Sequence, residues 1–217
     1  MMREHRRRTS FVLPVALLCA GAASLFTVGE PGQGRLRGPR EAGASVAIAA
    51  SLEDLARASS VIARVTPLER TSAWEDGRIV TTTRVRVDEI VAGAVPAGAR
   101  ELRVRTLGGR VDSIGQLVEG EASFVLSEPS IVFLTALAGP YVEPSFVVAG
   151  RAQGQLLVRR DVQGREIVRV GAVGELVARR FRPPQRDGGT RITELDGSLA
   201  APLTASFKRA WEVGHAK

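Results

Sequence analysis

Cysteine, histidine, lysine and aromatic residues are all scarce in this chain of 217 residues. The one cysteine, Cys19, excludes a disulfide framework and any multi-cysteine zinc site, since both need several thiols. Both histidines, His5 and His215, lie within a few residues of a terminus. A Ser-His-Asp triad, a Cys-His pair or a histidine-rich metal site would have to be built on a frayed end. The two lysines, Lys208 and Lys217, stand near the C-terminus, so Ser-Lys chemistry is equally badly placed. Aromatics make up 5%, too few to supply the ring platforms on which single-stranded nucleic acids stack. No P-loop, dinucleotide fingerprint, HExxH or EF-hand spacing occurs.

What is present suffices for a folded core. Hydrophobic residues reach 44% and charged residues 24%, and the length suits one domain with appendages. The formal net charge is +7, and 28 of the 30 basic residues are arginine. With abundant Ala, Gly and Val, that skew fits GC-rich coding better than selection for phosphate binding.

The N-terminal segment reads as an address. Arg3, Arg6, Arg7 and Arg8 precede the apolar run Phe11–Cys19, and Ala20-Gly21-Ala22 follows with small residues at A-x-A spacing. That order predicts a secretory signal peptide over residues 1–28 and an exported protein, periplasmic or extracellular. The uncharged stretch continues through Gly29, so the alternative is an uncleaved segment, residues 11–28, anchoring the chain to the membrane. Arg6-Arg7-Arg8 is similar to a twin-arginine signal with imperfect spacing, and Leu18 makes a poor neighbour for a lipidated Cys19. Cleavage after Ala22 would remove four Arg and one Glu, lowering the net charge from +7 to +4.

Gly, Pro and Arg dominate the next stretch, so residues 29–50 are expected to be a flexible linker. Ser51 with Asp54 three residues on approximates a capping box, and Leu52, Leu55 and Ala56 form one stripe of a short helix. Period-two alternation then takes over. Val61–Val65 reads as a strand closed by Pro67. Ile79, Thr81, Thr83, Val85 and Val87 share one face of a longer strand, with Val80, Thr82, Arg84, Arg86 and Asp88 on the other. Leu102, Val104 and Thr106 alternate with Arg103 and Arg105. Ile131–Leu137 is continuously apolar, and Phe146–Val148, Leu156–Val158 and Ile167–Val170 add further short strands. Five to seven antiparallel strands joined by short turns predict a small barrel or sandwich over residues 51–172. Residues 173–197 read as a basic linker. Leu199, Leu203, Phe207, Ala210 and Trp211 fall on one face of an amphipathic helix within 198–217, starting near Pro202 or Leu203.

A series of segments carries a resemblance: Ala58–Val65, Trp74–Thr81, Val87–Gly93, Leu107–Arg110, Ser130–Leu134 and Val148–Gly154. Together they resemble a group of uncharacterised exported bacterial proteins and, more distantly, are similar to the netrin-like, tissue-inhibitor-of-metalloproteinase-like domains. The resemblance covers about residues 52–161, half the chain. It implies a small OB-like β-barrel and says little about activity. The eukaryotic inhibitors of that type chelate zinc through an N-terminal cysteine and brace their barrel with disulfides. No cysteine stands within residues 51–172, so neither device can operate in this domain.

The candidate partner-binding residues are Arg84, Arg86, Arg103, Arg105 and Trp74. If the two Arg-bearing strands pair, their guanidinia form an outward stripe for an anionic partner, tempered by Asp88 and Glu101. The stripe contains no aromatics, which argues against nucleic acid as the partner and favours a solvated face of cross-strand charge pairs. Trp74 precedes Glu75-Asp76-Gly77 and is expected to pack at a hairpin tip, with a partner anchor as the alternative. Gly108-Gly109 opens a long polar loop through Glu121. Its Glu119 and Glu121 share a side if extended, a poor match to two carboxylates across a cleft. No catalytic, metal or cofactor residue is assigned and no cofactor is expected. The chain reads as an exported, non-enzymatic binding or envelope-interaction module, its partner a protein or an anionic envelope component. A carboxylate-dependent exported hydrolase and a protease inhibitor working without a chelating cysteine are the alternatives.

Overall fold

The computed structural model describes residues 49–139, 143–171 and 189–216. The expected signal or anchor segment, linker residues 29–48, and residues 173–188 of the expected basic linker lie outside the described residues.

The short helix forms where the cap predicts it. In α1, Leu52–Ala58, the Ser51 Oγ accepts a hydrogen bond from the Asp54 backbone N–H at 3.1 Å, so one orphan amide of the first turn is satisfied. Its buried stripe is Leu52, Leu55 and Ala56.

The described residues contain nine strands: β1, Val61–Glu75; β2, Arg78–Gly93; β3, Glu101–Leu107; β4, Gly109–Val111; β5, Ile114–Gln116; β6, Ser130–Ala136; β7, Ser145–Val148; β8, Gln155–Arg160; and β9, Glu166–Val170. Seven form one sheet in the order β1-β2-β3-β7-β6-β8-β9, and β4 and β5 make a separate hairpin. β1 also pairs with β6, so the path β1-β2-β3-β7-β6 returns to β1 and the sheet is partly closed on itself.

Four expectations are corrected. The sheet is mixed rather than antiparallel, because β3 and β7 run parallel, with Arg103, Val104 and Arg105 opposite Ser145, Phe146 and Val147. Pro67 does not close β1. The strand bends there instead: Leu68 is an extra residue between the pairs Pro67–Val85 and Glu69–Arg84, and a bulge tolerates a residue that cannot donate to the ladder. Val80, expected to face outward, is buried between its cross-strand neighbours Ala73 and Leu107. The long loop after Gly108 contains the β4–β5 hairpin, whose three-residue strands carry exposed Ile114, Gly115 and Gln116 and so leave no alternation to detect.

Two apolar clusters explain the strand patterns. Inside the partly closed sheet lie Val61, Ala63 and Val65 of β1, with Val85, Leu102, Val104, Val132, Leu134, Phe146 and Val148. The other face of β1 and β6 contributes Ile62, Ile131 and Phe133 to a second cluster, together with α1, β8 and β9. β6 is therefore apolar over Ile131–Leu134, where it is buried on both faces. The C-terminal helix α2, Ala200–Gly214, closes this second cluster with Phe207, whose ring meets Phe133 edge-on at 5.5 Å. Within the stretch read as linker 173–197, Ile192–Leu195 forms a 3-10 turn that buries Ile192 and Leu195 in the same cluster. No helix among the described residues is long and apolar enough to cross a membrane.

Candidate functional site

The five residues singled out from the sequence divide between two faces of the β1–β3 sheet. β2 and β3 pair as neighbours, with Arg84 opposite Arg103 and Arg86 opposite Glu101, so the arginines do share a face. Each has a carboxylate partner. Arg84 donates to Glu101 at 2.8 Å and to Glu69 at 3.1 Å, and Arg86 donates to Asp88 at 2.8 Å. Arg103 pairs with Glu143, and Arg105 with Glu75. The hydrogen bond from Arg103 holds the Glu143 carboxyl below the usual carboxylate range. This outer face is a ladder of compensated charges.

Trp74 belongs to the other side. The β1–β2 hairpin turns at Asp76-Gly77, both with positive φ (47° and 75°), and sets Trp74 opposite Ile79. Cross-strand partners share a face, so Trp74, Ser72 and Arg70 lie on the side of Ile79, Thr81 and Thr83. Ile79 is fully buried, whereas Trp74 remains 51% exposed and so is not the packed tip residue expected.

On this inward side the strand chemistry changes along its length. Val85, Leu102 and Val104 fill the apolar interior, but toward the hairpin the equivalent positions are Thr81, Thr83 and Thr106. Their walls, with Gln116, Glu121 and Phe124, enclose a cavity of about 200 Å³. The segment 117–124 closes it without any regular structure. The Gln155 side chain accepts from the Ser123 N–H and donates to the Ser123 carbonyl, both at 3.0 Å, so an amide stands in for a strand partner. Ala152 N–H donates to the Gly120 carbonyl, Arg70 Nη1 donates to the Phe124 carbonyl at 3.0 Å, and Ala122 and Phe124 are buried in the interior cluster.

The hydroxyls of this cavity are not equivalent. Thr81 Oγ1 donates to the Gly108 carbonyl at 2.6 Å and lies 2.8 Å from Ser72 Oγ. Gly108 and Gly109 both have positive φ (87° and 131°), and a Cβ on Gly109 would come within 2.2 Å of Thr81 Oγ1. They therefore permit close backbone approach as well as a turn. Thr83 is buried, and its Oγ1 has no protein partner. Burial pushes the Glu121 carboxyl above the usual glutamate range, opposed by the Ala122 amide and by the charge of Arg151. Arg151 itself holds a left-handed backbone conformation, φ 58°, unusual for a side chain of its size. Glu119, grouped with Glu121 in the sequence, is exposed and outside the cavity lining.

A larger open groove of about 690 Å³ runs past Arg64, Thr66, Arg86, Asp88 and Glu89. Its charged groups largely satisfy one another: Arg64 is bidentate to Glu166 at 2.7 and 2.8 Å, and Asp88 accepts from both Thr66 and Arg86. The smaller cavity is the better candidate because it alone of the two holds a buried hydroxyl without a partner. Sequence reasoning missed it. Threonines in a strand are ordinary, and only the alternation Thr81-Thr83-Val85 hinted that one inward face changes polarity.

No family model matches the chain, and no curated protein matches it.

Proposed function

We propose that the chain is an exported, non-enzymatic binding module on an OB-like scaffold, recognising a component of the cell envelope. The scaffold assignment draws support from the strand circuit β1-β2-β3-β7-β6-β1, whose parallel β3–β7 pair joins two otherwise antiparallel stretches into one five-stranded curl. It also agrees with the netrin-like resemblance of residues 52–161. Export rests on the charged, apolar and small-residue order of the first 22 residues.

The observation that carries the binding role is the hydroxyl-lined cavity with its unpartnered Thr83. Hydroxyls, a side-chain amide and a carboxyl are groups that hold a polar ligand. Glycoside hydrolysis would ask for a second carboxylate across the cleft, and among the described residues Glu121 is the one carboxylate in the lining. The outer arginine ladder, already paired with Glu69, Glu75, Glu101 and Glu143, favours orientation on a surface over tight capture of an anion.

Cell fractionation with N-terminal sequencing, followed by co-sedimentation with isolated envelope material, tests this. The expected result is a protein recovered outside the cytoplasm that sediments with the envelope at both low and high salt. Recovery in the cytoplasm, or no sedimentation at either salt, would refute it.

A further inference from the structure

We propose that the cavity under the 117–124 segment is a ligand pocket for one small, uncharged, hydroxyl-rich molecule, of the size of a single sugar unit or cyclic polyol, with Thr83 and Glu121 as its direct hydrogen-bond partners. The inference rests on the binding-module role above and specifies its ligand class.

Size comes first. About 200 Å³ is below the range of drug-sized pockets, and at ~30 Å³ per water it holds a small cluster of waters or one small molecule. Phe124 and Leu107 offer apolar wall while Thr81, Thr83, Thr106, Gln116 and Glu121 offer polar wall, the mixture that a ring bearing both C–H and O–H groups requires.

The polar groups differ in what they have left to give. Thr81 Oγ1 is spent on the Gly108 carbonyl and Ser72. Gln116 Oε1 accepts from the Ile79 N–H at 2.6 Å, which uses its oxygen. Thr83 Oγ1 is free to donate and to accept. The Glu121 carboxyl accepts the Ala122 amide at a long 3.3 Å and also the Leu107 amide, and its two oxygens, with about four lone-pair sites, retain capacity for a ligand. A hydroxyl that both donates and accepts is the natural complement of Thr83, and neighbouring hydroxyls on one ring would reach Thr83 and Glu121 together.

Charge selects against ions. An anion would meet Glu121. A cation would meet Arg70 in the lining and the positive field of Arg151 that acts on Glu121. Burial disfavours the ionised carboxyl of Glu121, so a neutral ligand that hydrogen-bonds to it imposes no further charge separation in a half-closed site.

Such a unit can arrive as a free sugar or as the end of an envelope glycan, and the two are separable. Amide-resolved NMR titrations of the purified protein use glucose, N-acetylglucosamine and myo-inositol as neutral monomers, chitotriose as a chain, and acetate and ethylammonium as charged controls. At least one neutral monomer is expected to give saturable shifts at Thr81, Thr83, Thr106, Gly108 and Glu121, in about the millimolar range for so small a ligand. Chitotriose binding at least as tightly as its monomer marks a chain end, and weaker binding marks a free sugar; both support the pocket. Thr83→Val, isosteric and strand-compatible, and Glu121→Ala are each expected to weaken binding about tenfold or more. Glu121→Gln, which keeps a neutral hydrogen-bonding group, stays within about threefold of wild type. No saturable shifts with any neutral probe, wild-type affinity in Thr83→Val, tighter binding of a charged control, or a Glu121→Gln loss as large as that of Glu121→Ala would each overturn the proposal. If envelope sedimentation persists while these titrations fail, the ligand assignment falls and the binding-module role stands.

Discussion

Thr83 occupies a strand position that suits any β-branched residue, yet its hydroxyl is buried with nothing to bond. Thr81, two residues away on the same face, bonds the Gly108 carbonyl and Ser72. The same substitution should therefore have opposite effects at the two sites. Thr83→Val is expected to leave the ligand-free protein as stable as wild type or up to ~1 kcal/mol more stable, whereas Thr81→Val is expected to cost about 1–2 kcal/mol. Urea denaturation of both variants checks this, and equal losses would show that Thr83 is bonded in solution. Glu121 supplies a pH test. Its folded pKa is raised by burial, so over the window from the ordinary glutamate range up to that raised value the folded state binds more protons than the unfolded one. Stability from this group is present at lower pH and is lost as pH rises through the window. Glu121→Gln is expected to flatten that decline, measured as thermal midpoint against pH; an unchanged slope would remove Glu121 as its cause.

Elements that bury one face and elements that bury two carry different loads. α2 presents Phe207 to Phe133 with the ring of each fully buried, and Leu203, Ala210 and Trp211 pack beside it only in part. Phe207→Ala is expected to cost ~3–5 kcal/mol, against less than about 1 kcal/mol for substitution of exposed Val213. Equal effects in chemical denaturation would mean that the helix does not cover β6 in solution. The bidentate Arg64–Glu166 pair joins β1 to β9 across the same region. The Arg64 hydrogen bond lowers the Glu166 pKa, so its contribution is present above the ordinary glutamate range and is lost as pH falls through the folded value. That is opposite in sign to Glu121. A double-mutant cycle at neutral pH is expected to give a coupling of about 0.5–1 kcal/mol, small because both side chains keep contact with solvent.

At the scale of the molecule, the positive formal charge does not amount to a basic surface on the sheet. The four arginines of the outer face are matched by Glu69, Glu75, Glu101, Glu143 and Asp88. Binding to duplex DNA is therefore expected to be weak, with a log–log salt slope shallower than about −2, against about −3.6 if all four guanidinia gripped phosphates. Fluorescence anisotropy across salt concentrations distinguishes the two. A steep slope reduced by Arg84→Gln and Arg103→Gln would restore the stripe as an anion-binding surface.

The helices, the alternating strands and the Asp76-Gly77 turn were legible because each depends on chemistry within a few residues: a Ser51 cap, a period of two from Ile79 to Val87, a left-handed dipeptide. The paired charges could also be suspected, since acids and arginines interleave along β2 and β3. The parallel β3–β7 pair, the return of β6 to β1 and the bulge at Leu68 had no such local mark, because strand partners distant in sequence are chosen by which faces the whole chain can bury. The cavity lies furthest from view. Thr83 is identical on paper to any strand threonine, and it becomes a site residue only when Gln155 grips Ser123, 32 residues before it, and draws a segment with no regular structure across the cavity. What local sequence determines is which face of an element avoids water; what only tertiary structure decides is whether that face meets another apolar surface or an enclosed space, because that depends on segments brought together from across the chain.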